Sequence, residues 1–421
     1  MHLNKSSCTC SQYAENNLNT IKLNGWNDMG FTDEQRSIHW KLLLCYLPID
    51  KPNEWHSIME EKIRIYSEFL EEVIDYPQSS PAFTKSDHPL NTDPDSQWNI
   101  YFRDNELLAQ ISTDCRRLHP KIDFFHRQTD NTILNSNNLA ERLRFRMHKD
   151  MVKSSAKLKF YNGFSTLQLE RQPESVEITE SGEKHWEVIT RLIFVFTKLN
   201  PAQPYIQGLN EIVAPLYHVF VNGSHHPEMA EIDCFFCLML LMSRIRDNFT
   251  TLRSYRSDWK EIRNDETYGI KRCQNWWSSS TLDQKHTVLN ASVVHEQLRQ
   301  VEFLLSTIDL PIYKGLNDNK ILIEYYAFRW IMLMFAQEFE LADLLIIWDV
   351  ILCVSLNNHN NFITSIACAL ILSKRAELLT YLQDSNFSQA MKLLQNMKPD
   401  PKIVLRLAKQ LSSQWINILT N

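Results

Sequence analysis

Glycine is scarce in this sequence, 8 residues of 421. Phosphate-cradling α/β folds and all-β folds with many tight turns both need a residue free to adopt positive φ, so the shortage argues against them and for a mostly α-helical chain. No G-x-x-x-x-G-K-[ST] stretch occurs, which excludes a P-loop of the chain's own. The longest apolar run, Cys234 to Met242, falls far short of the ~20 residues that a membrane-spanning helix needs. There is no long Lys/Arg run, and the formal net charge is −6, so the composition carries no mark of a nucleic-acid binder. The polar opening, Met1-His-Leu-Asn-Lys-Ser-Ser7, has no apolar signal core, and Ile418-Leu-Thr-Asn421 is no prenylation box. The 9 cysteines form no regular framework. Reduced thiols in a cytosolic protein are the expectation.

A hydrophobic share of 44% with 22% charged residues suits a chain that buries a large core. Its apolar positions recur at helical spacing. Trp40, Leu43, Leu44 and Leu47 stand at i, i+3, i+4 and i+7 after the capping pair Thr32-Asp33, with Pro48 as the stop. Leu341, Leu344, Leu345, Trp348, Ile351 and Leu352 form a still more regular stripe, and similar patterns continue to Trp415. The expected fold is therefore all-α. Its body runs from residue 32 to 421 behind a flexible tail over 1–31, with polar insertions near 120–184 and 250–288. No fixed-period repeat appears, which counts against a helical solenoid.

Two short stretches carry chemistry. In Ile111-Ser-Thr-Asp114-Cys-Arg-Arg117, the apolar residues Leu107, Ile111, Cys115 and Leu118 predict an amphipathic helix, and Asp114 and Arg117 share one edge of it. A carboxylate there can orient the planar fork of Arg117 or Arg116. In Tyr205-Ile-Gln207-Gly208-Leu-Asn210-Glu211, Gly208 permits a backbone geometry that a side chain would block, and Gln207 is displayed on the turn beside it. An oriented Arg and a displayed Gln are what a phosphoryl-transfer site needs, one to stabilise transition-state charge and one to orient water.

These stretches match the IxxDxxR and YxQG motifs of the TBC domain, the catalytic domain of Rab GTPase-activating proteins, and the chain resembles that family over most of its length. Arg36-Ser-Ile-His-Trp40 through Leu47-Pro48 is similar to the domain's RxxxW…LP opening. Phe328-Arg329-Trp330, Gln337-Glu338-Phe339 and Ile347-Trp348-Asp349 are similar to its FRW…EF…WD blocks, in the same order. Asp87-His88-Pro89-Leu90-Asn91, Pro94-Asp95-Ser96 and Tyr101-Phe102 most resemble one member of the family.

The resemblance implies an all-α, multi-helix domain of two packed helical halves. It implies a protein that accelerates GTP hydrolysis by a Rab-type GTPase in its GTP state, with Arg117 and Gln207 supplied in trans. Asp114, Tyr205, Gly208 and Asn210 would support them, and Arg36 would be a structural residue near the site. It implies no cofactor of the chain's own, since GTP and magnesium come with the GTPase. The place implied is the cytoplasm, transiently at membranes carrying the target Rab in vesicle trafficking, with membrane contact only through the Rab. Two departures from the pattern, Glu211 where Asp is frequent and Leu118 where Thr is common, remove neither finger.

Other features weigh less. Cys8 and Cys10 read as free thiols, and Cys234-Phe-Phe-Cys237 as core, because no second pair completes a zinc site. The basic patch of Arg142, Arg144, Arg146, His148, Lys149 and Lys153 reads as a solvated face, with an acidic partner or anionic headgroups as the sharper alternative. Trp276-Trp277 is equally a partner anchor or a pair packed back on the domain. The rival in function is a TBC-like scaffold that binds GTPases or adaptors without accelerating hydrolysis.

Overall fold

A computed structural model describes residues 18–28, 30–74, 93, 96–129, 143–144, 146–147, 182–201, 205–223, 226–245 and 293–420, with side chains in the last helix as far as Ser413. The α-helices are α1 (Leu18–Asn27), α2 (Asp33–Leu43), α3 (Trp55–Val73), α4 (Gln97–Arg116), α5 (His185–Leu199), α6 (Leu209–Gly223), α7 (Ala230–Ile245), α8 (Val293–Ile308), α9 (Leu310–Asp318), α10 (Ala327–Met332), α11 (Leu341–Cys353), α12 (His359–Ser373), α13 (Arg375–Gln383), α14 (Phe387–Gln395) and α15 (Pro401–Thr420). Among the described residues there is no strand, only an isolated bridge between Gln128 and Lys184. The all-α expectation holds. Among these residues, too, no single helix is long and apolar enough to cross a membrane.

The helices fall into two units, one drawn from Met1–Ile49 and Leu240–Asn421, the other Asp50–Met239. In the first, α12 lies between α15 and α8, and α1 and α2 pack on α11. The stripe read from the sequence on α11 is buried, with Leu344 and Trp348 wholly so. Asp349 anchors the start of this unit. Its carboxylate accepts from Arg36 Nε (3.1 and 3.0 Å), from Trp40 Nε1 at 2.7 Å and from the Phe31 amide at 2.9 Å. Burial pushes the Asp349 carboxyl up, to about 6, against the pull of Arg36 and the two N–H donors. A buried acid is kept here because every lone pair has a donor.

Two expectations are corrected in this unit. The tail predicted over 1–31 contains α1, with Ile21 and Gly25 buried, Trp26 beside Phe362 at 5.1 Å between ring centroids, and Lys409 over the Trp26 ring at 4.9 Å. Polar composition hid a helix that needs only a narrow apolar seam to dock. Helix α2 also ends at Leu43, before Pro48. Cys45 takes φ 62°, and its amide and that of Tyr46 bond back to Leu42 and Lys41 at 3.0 and 2.8 Å, a Schellman closure built without glycine.

The second unit is organised on α5, where every residue from His185 to Thr197 is buried. A helix buried on every face belongs at the centre, and its buried polar groups need partners. Helices α4 and α6 pack against it. Arg191, on α5, is wholly buried and is held by Glu231 at 2.7 and 2.8 Å and by Glu183, while Tyr66 donates to Glu231 at 2.8 Å. Burial alone would lower the Arg191 pKa; the two carboxylates outweigh it and hold the guanidinium above its ordinary value.

The predicted insertions lie mostly outside the described residues, as do Cys8, Cys10, the Asp87–Asn91 stretch and Trp276-Trp277. Of the basic patch, Arg144 and Arg146 are described, and neither is a free surface charge. Arg144 Nε donates to Glu187 at 3.1 Å, and Arg146 donates twice to Asn105 Oδ1, at 3.1 and 2.9 Å, above the Tyr101 ring. Cys234 and Cys237 are fully buried on α7, and no cluster of metal-ligating side chains occurs among the described residues.

Candidate functional site

Helix α4 starts where Ser96 caps the Asn99 amide at 3.2 Å, earlier than the apolar spacing alone predicts. It buries Leu108, Ile111, Ser112 and Cys115, so Asp114, Arg116 and Arg117 emerge at its free end. Arg117 is the C-cap residue (φ −92°, ψ 0°), its amide bonding back to Asp114 O at 3.2 Å. Its side chain is exposed. Arg116 is half-buried over the Trp186 indole, 4.5 Å from the ring centroid, and burial lowers its pKa against the pull of Glu187.

The second stretch is a turn that opens α6. Gly208 is buried at φ 105°, a conformation that an L side chain rarely adopts, and its carbonyl accepts from the Glu211 amide at 3.0 Å. The turn therefore needs glycine, as its place in the sequence suggested. Gln207, just before it, is exposed. Among the described residues, no hydrogen bond or ion pair reaches the side chain of Arg117 or of Gln207.

Asp114 ties the two stretches together. The Tyr205 hydroxyl donates to Asp114 Oδ2 at 2.7 Å, and Asn210 Nδ2 donates to the Asp114 carbonyl at 3.3 Å. Tyr205 and Asn210 flank Gln207, while Asp114 lies one helical turn before Arg117. Burial, and then the Asp114 carboxylate, push the Tyr205 phenol far up, so it remains a donor throughout the physiological range. Burial also pushes the Cys115 thiol up, to about 12, which makes it an inert core group.

Of the residues singled out from the sequence, Asp114, Arg117, Tyr205, Gln207, Gly208 and Asn210 all lie in the second unit, in two segments joined by these bonds. Arg36 belongs to the first unit, where it is built into the Asp349 cluster and also donates to the Phe31 carbonyl at 2.8 Å. Sequence reasoning missed the contact between His119 and Glu211, whose Nε2 and Oε2 are 3.6 Å apart. The available signal was Glu211 itself, a departure from the family pattern.

The family described as the Rab-GTPase-TBC domain matches residues 146–262 and 284–379. The protein belongs to the Rab-GTPase-TBC domain family. Its sequence is 36% identical over 397 residues to TBC1 domain family member 13 of Homo sapiens, covering 89% of each chain. The Mus musculus protein of the same name is 35% identical over the same coverage. That is the member picked out by the motifs between Asp87 and Phe102. The crystal structure of the Ypt/Rab-GAP domain of Gyp1p aligns with a TM-score of 0.58 and 17% identity, covering 96% of this chain and 98% of that one, a likeness of TBC fold. The family match includes Tyr205 to Glu211 and begins after Arg117.

Proposed function

We propose that this TBC protein accelerates GTP hydrolysis by a Rab-type small GTPase, supplying Arg117 and Gln207 in trans. The observation that carries the reading is the bridge through Asp114, which joins a segment ending in an exposed arginine to a turn that displays an exposed glutamine. Family membership supplies the partner class. The GTPase in its GTP state brings the nucleotide, magnesium and phosphate loop, and this chain contributes no cofactor of its own. Arg117 neutralises charge that develops on the transferring phosphoryl group, and Gln207 orients the attacking water. Both act in the transition state, so they raise the rate more than they tighten ground-state binding. Tyr205 and Asn210 hold Asp114, and Gly208 gives the turn its shape. The protein works in the cytoplasm and reaches membranes transiently through the Rab.

The test is single-turnover GTP hydrolysis by a panel of purified Rab proteins with and without this protein. Acceleration of at least one Rab, lost in Arg117→Ala, supports the reading. Binding without acceleration of any Rab would replace it with the scaffold.

A further inference from the structure

Two residues after Arg117 the chain passes through an unusual conformation. His119 has φ 38°, in the left-handed region that few non-glycine residues occupy, though histidine is among those enriched there. Its carbonyl accepts from the Ile122 amide at 2.8 Å, and its ring stacks on Phe125 with centroids 5.4 Å apart and planes at 28°. Nε2 lies 3.6 Å from Glu211 Oε2, the two side chains being 16% and 17% exposed. Glu211 stands in the first turn of α6, four residues after Gln207. This contact is thus a second bridge between the segments that the Tyr205–Asp114 bond joins. Both charges also stand where helix dipoles favour them: a carboxylate in the first turn of α6, and an imidazolium just past the C-terminus of α4.

We propose that His119 is a positioning residue for Arg117, and that its protonation closes an ion pair with Glu211 that fixes the finger-bearing end of α4 against the turn of Gln207. The proposal rests on the GTPase-activating reading above. At 3.6 Å the contact is an ion pair only while the imidazole is charged. Neutral, it no longer forms this ion pair, and the segment after Arg117 keeps its Phe125 stacking but loses one restraint.

Other titratable groups stand close by. On its own segment these are Asp114, Arg116 and Arg117, followed by Asp123 paired with Arg127 and by His126. From α6, besides Glu211, His218 meets Phe124 edge-on at 4.8 Å and approaches Phe125 at 6.3 Å. From α5, His185 stacks on Phe124 at 4.2 Å, its Nδ1 being 2.9 Å from the Tyr217 hydroxyl. The His119–Glu211 contact is the one that joins the segment after Arg117 to the start of α6.

The experiment measures kcat and KM for hydrolysis by a responsive GTP-loaded Rab from about pH 6 to about pH 8, the range in which histidine changes charge, with the Rab alone as baseline. It compares wild type with His119→Asn, which tolerates the left-handed backbone, with Glu211→Gln, and with His119→Lys, a permanent cation. An ion pair worth ~1 kcal/mol makes a step of about fivefold. Wild-type kcat should fall by that factor as the pH rises, with KM unchanged. His119→Asn and Glu211→Gln should lie flat near the lower level, and His119→Lys should hold the upper level at high pH. If His119→Asn fails to fold, Glu211→Gln carries the test, because it keeps the side-chain size and removes only the charge. A wild-type-shaped step retained in both neutral variants overturns the proposal and leaves the GTPase reading standing. No acceleration by the wild type at any pH overturns that reading, and the proposal with it.

Discussion

The Arg116 guanidinium lies over the Trp186 indole, 4.5 Å from the ring centroid, whereas the next residue, Arg117, is exposed. Two adjacent arginines thus sit in different surroundings. Arg116 is a packing residue whose burial lowers its pKa, and Arg117 is open to solvent. Arg117→Ala should cut the accelerated rate by ~10³-fold or more, the scale of an arginine supplied in trans, without a change in melting temperature. Arg117→Lys should not rescue, because an ammonium cannot make the forked contact. Arg116→Ala should leave most of the acceleration and lower stability by about 1 kcal/mol through the lost cation–π contact. Stopped-flow phosphate release and thermal melts of the three variants check this, and the reverse order for the two alanine variants would assign the finger to Arg116.

Tyr205→Phe removes the hydroxyl that reaches Asp114 at 2.7 Å and nothing else. It should cost about 1–2 kcal/mol of stability, the value of a hydrogen bond to a charged, partly buried group. It should also lower kcat by about tenfold with little change in KM, because a misplaced finger loses transition-state contacts first. Equal losses in Rab affinity and rate would mean that Tyr205 lines the binding surface instead.

Arg191 is a stability residue distant in role from the fingers. Arg191→Met leaves Glu183 and Glu231, both largely buried, without the guanidinium that holds them. Removing one partner of such a network costs ~3–5 kcal/mol. Chemical denaturation should show that loss, and the double replacement Arg191→Met with Glu231→Gln should recover part of it. A loss below about 1 kcal/mol would show that the buried charges contribute nothing net.

Acidity should weaken the first unit through His359, whose pKa burial lowers to about 4, with Arg244 adding to the effect. The folded state binds a proton less readily than the unfolded chain. Stability from this group is therefore complete above the ordinary histidine range and is lost as the pH falls from about 6.5 to about 4. Asp349, pushed up to about 6, acts in the opposite sense, so the diagnostic quantity is the difference between two proteins. His359→Gln should lose about 1–2 kcal/mol less than wild type between about pH 7 and about pH 5. Parallel stability curves would show that His359 does not titrate on unfolding.

Much of this was legible in the residues. The α11 stripe and the shape of the Gly208 turn follow from local pattern, because apolar spacing and the φ 105° of one glycine are properties of a few neighbours. What stayed hidden is long-range. That Asp349 would receive Arg36, Trp40 and Phe31 depends on contacts spanning more than 300 positions, and the Arg191 network joins Tyr66, Glu183 and Glu231 from separate elements. A single sequence shows each of these as an ordinary charged or aromatic residue. Helix α1 was missed for the same reason. What fixes it is Trp26 meeting Phe362 and Lys409 from far along the chain.

Gln207 separates the enzyme from the scaffold. It is exposed beside a turn bonded through Asn210 and Tyr205 to Asp114, so its backbone is fixed while its side chain is free to meet a partner. If it orients the attacking water, it stands in for the GTPase's own switch glutamine. A Rab with that glutamine changed to leucine should then still be accelerated substantially by the wild-type protein. Gln207→Ala should lose most of the acceleration of wild-type Rab, by ~10²-fold, while binding of the GTP form changes little, since orienting the nucleophile matters only at the transition state. Binding to a transition-state mimic of the Rab should weaken in parallel with the rate. Single-turnover hydrolysis with the four combinations of the two proteins decides the matter. If Gln207→Ala hydrolyses as fast as wild type, the water is oriented by the GTPase alone and Arg117 is the only finger; if wild-type protein accelerates normal Rab but not the leucine variant, Gln207 instead supports the partner's glutamine.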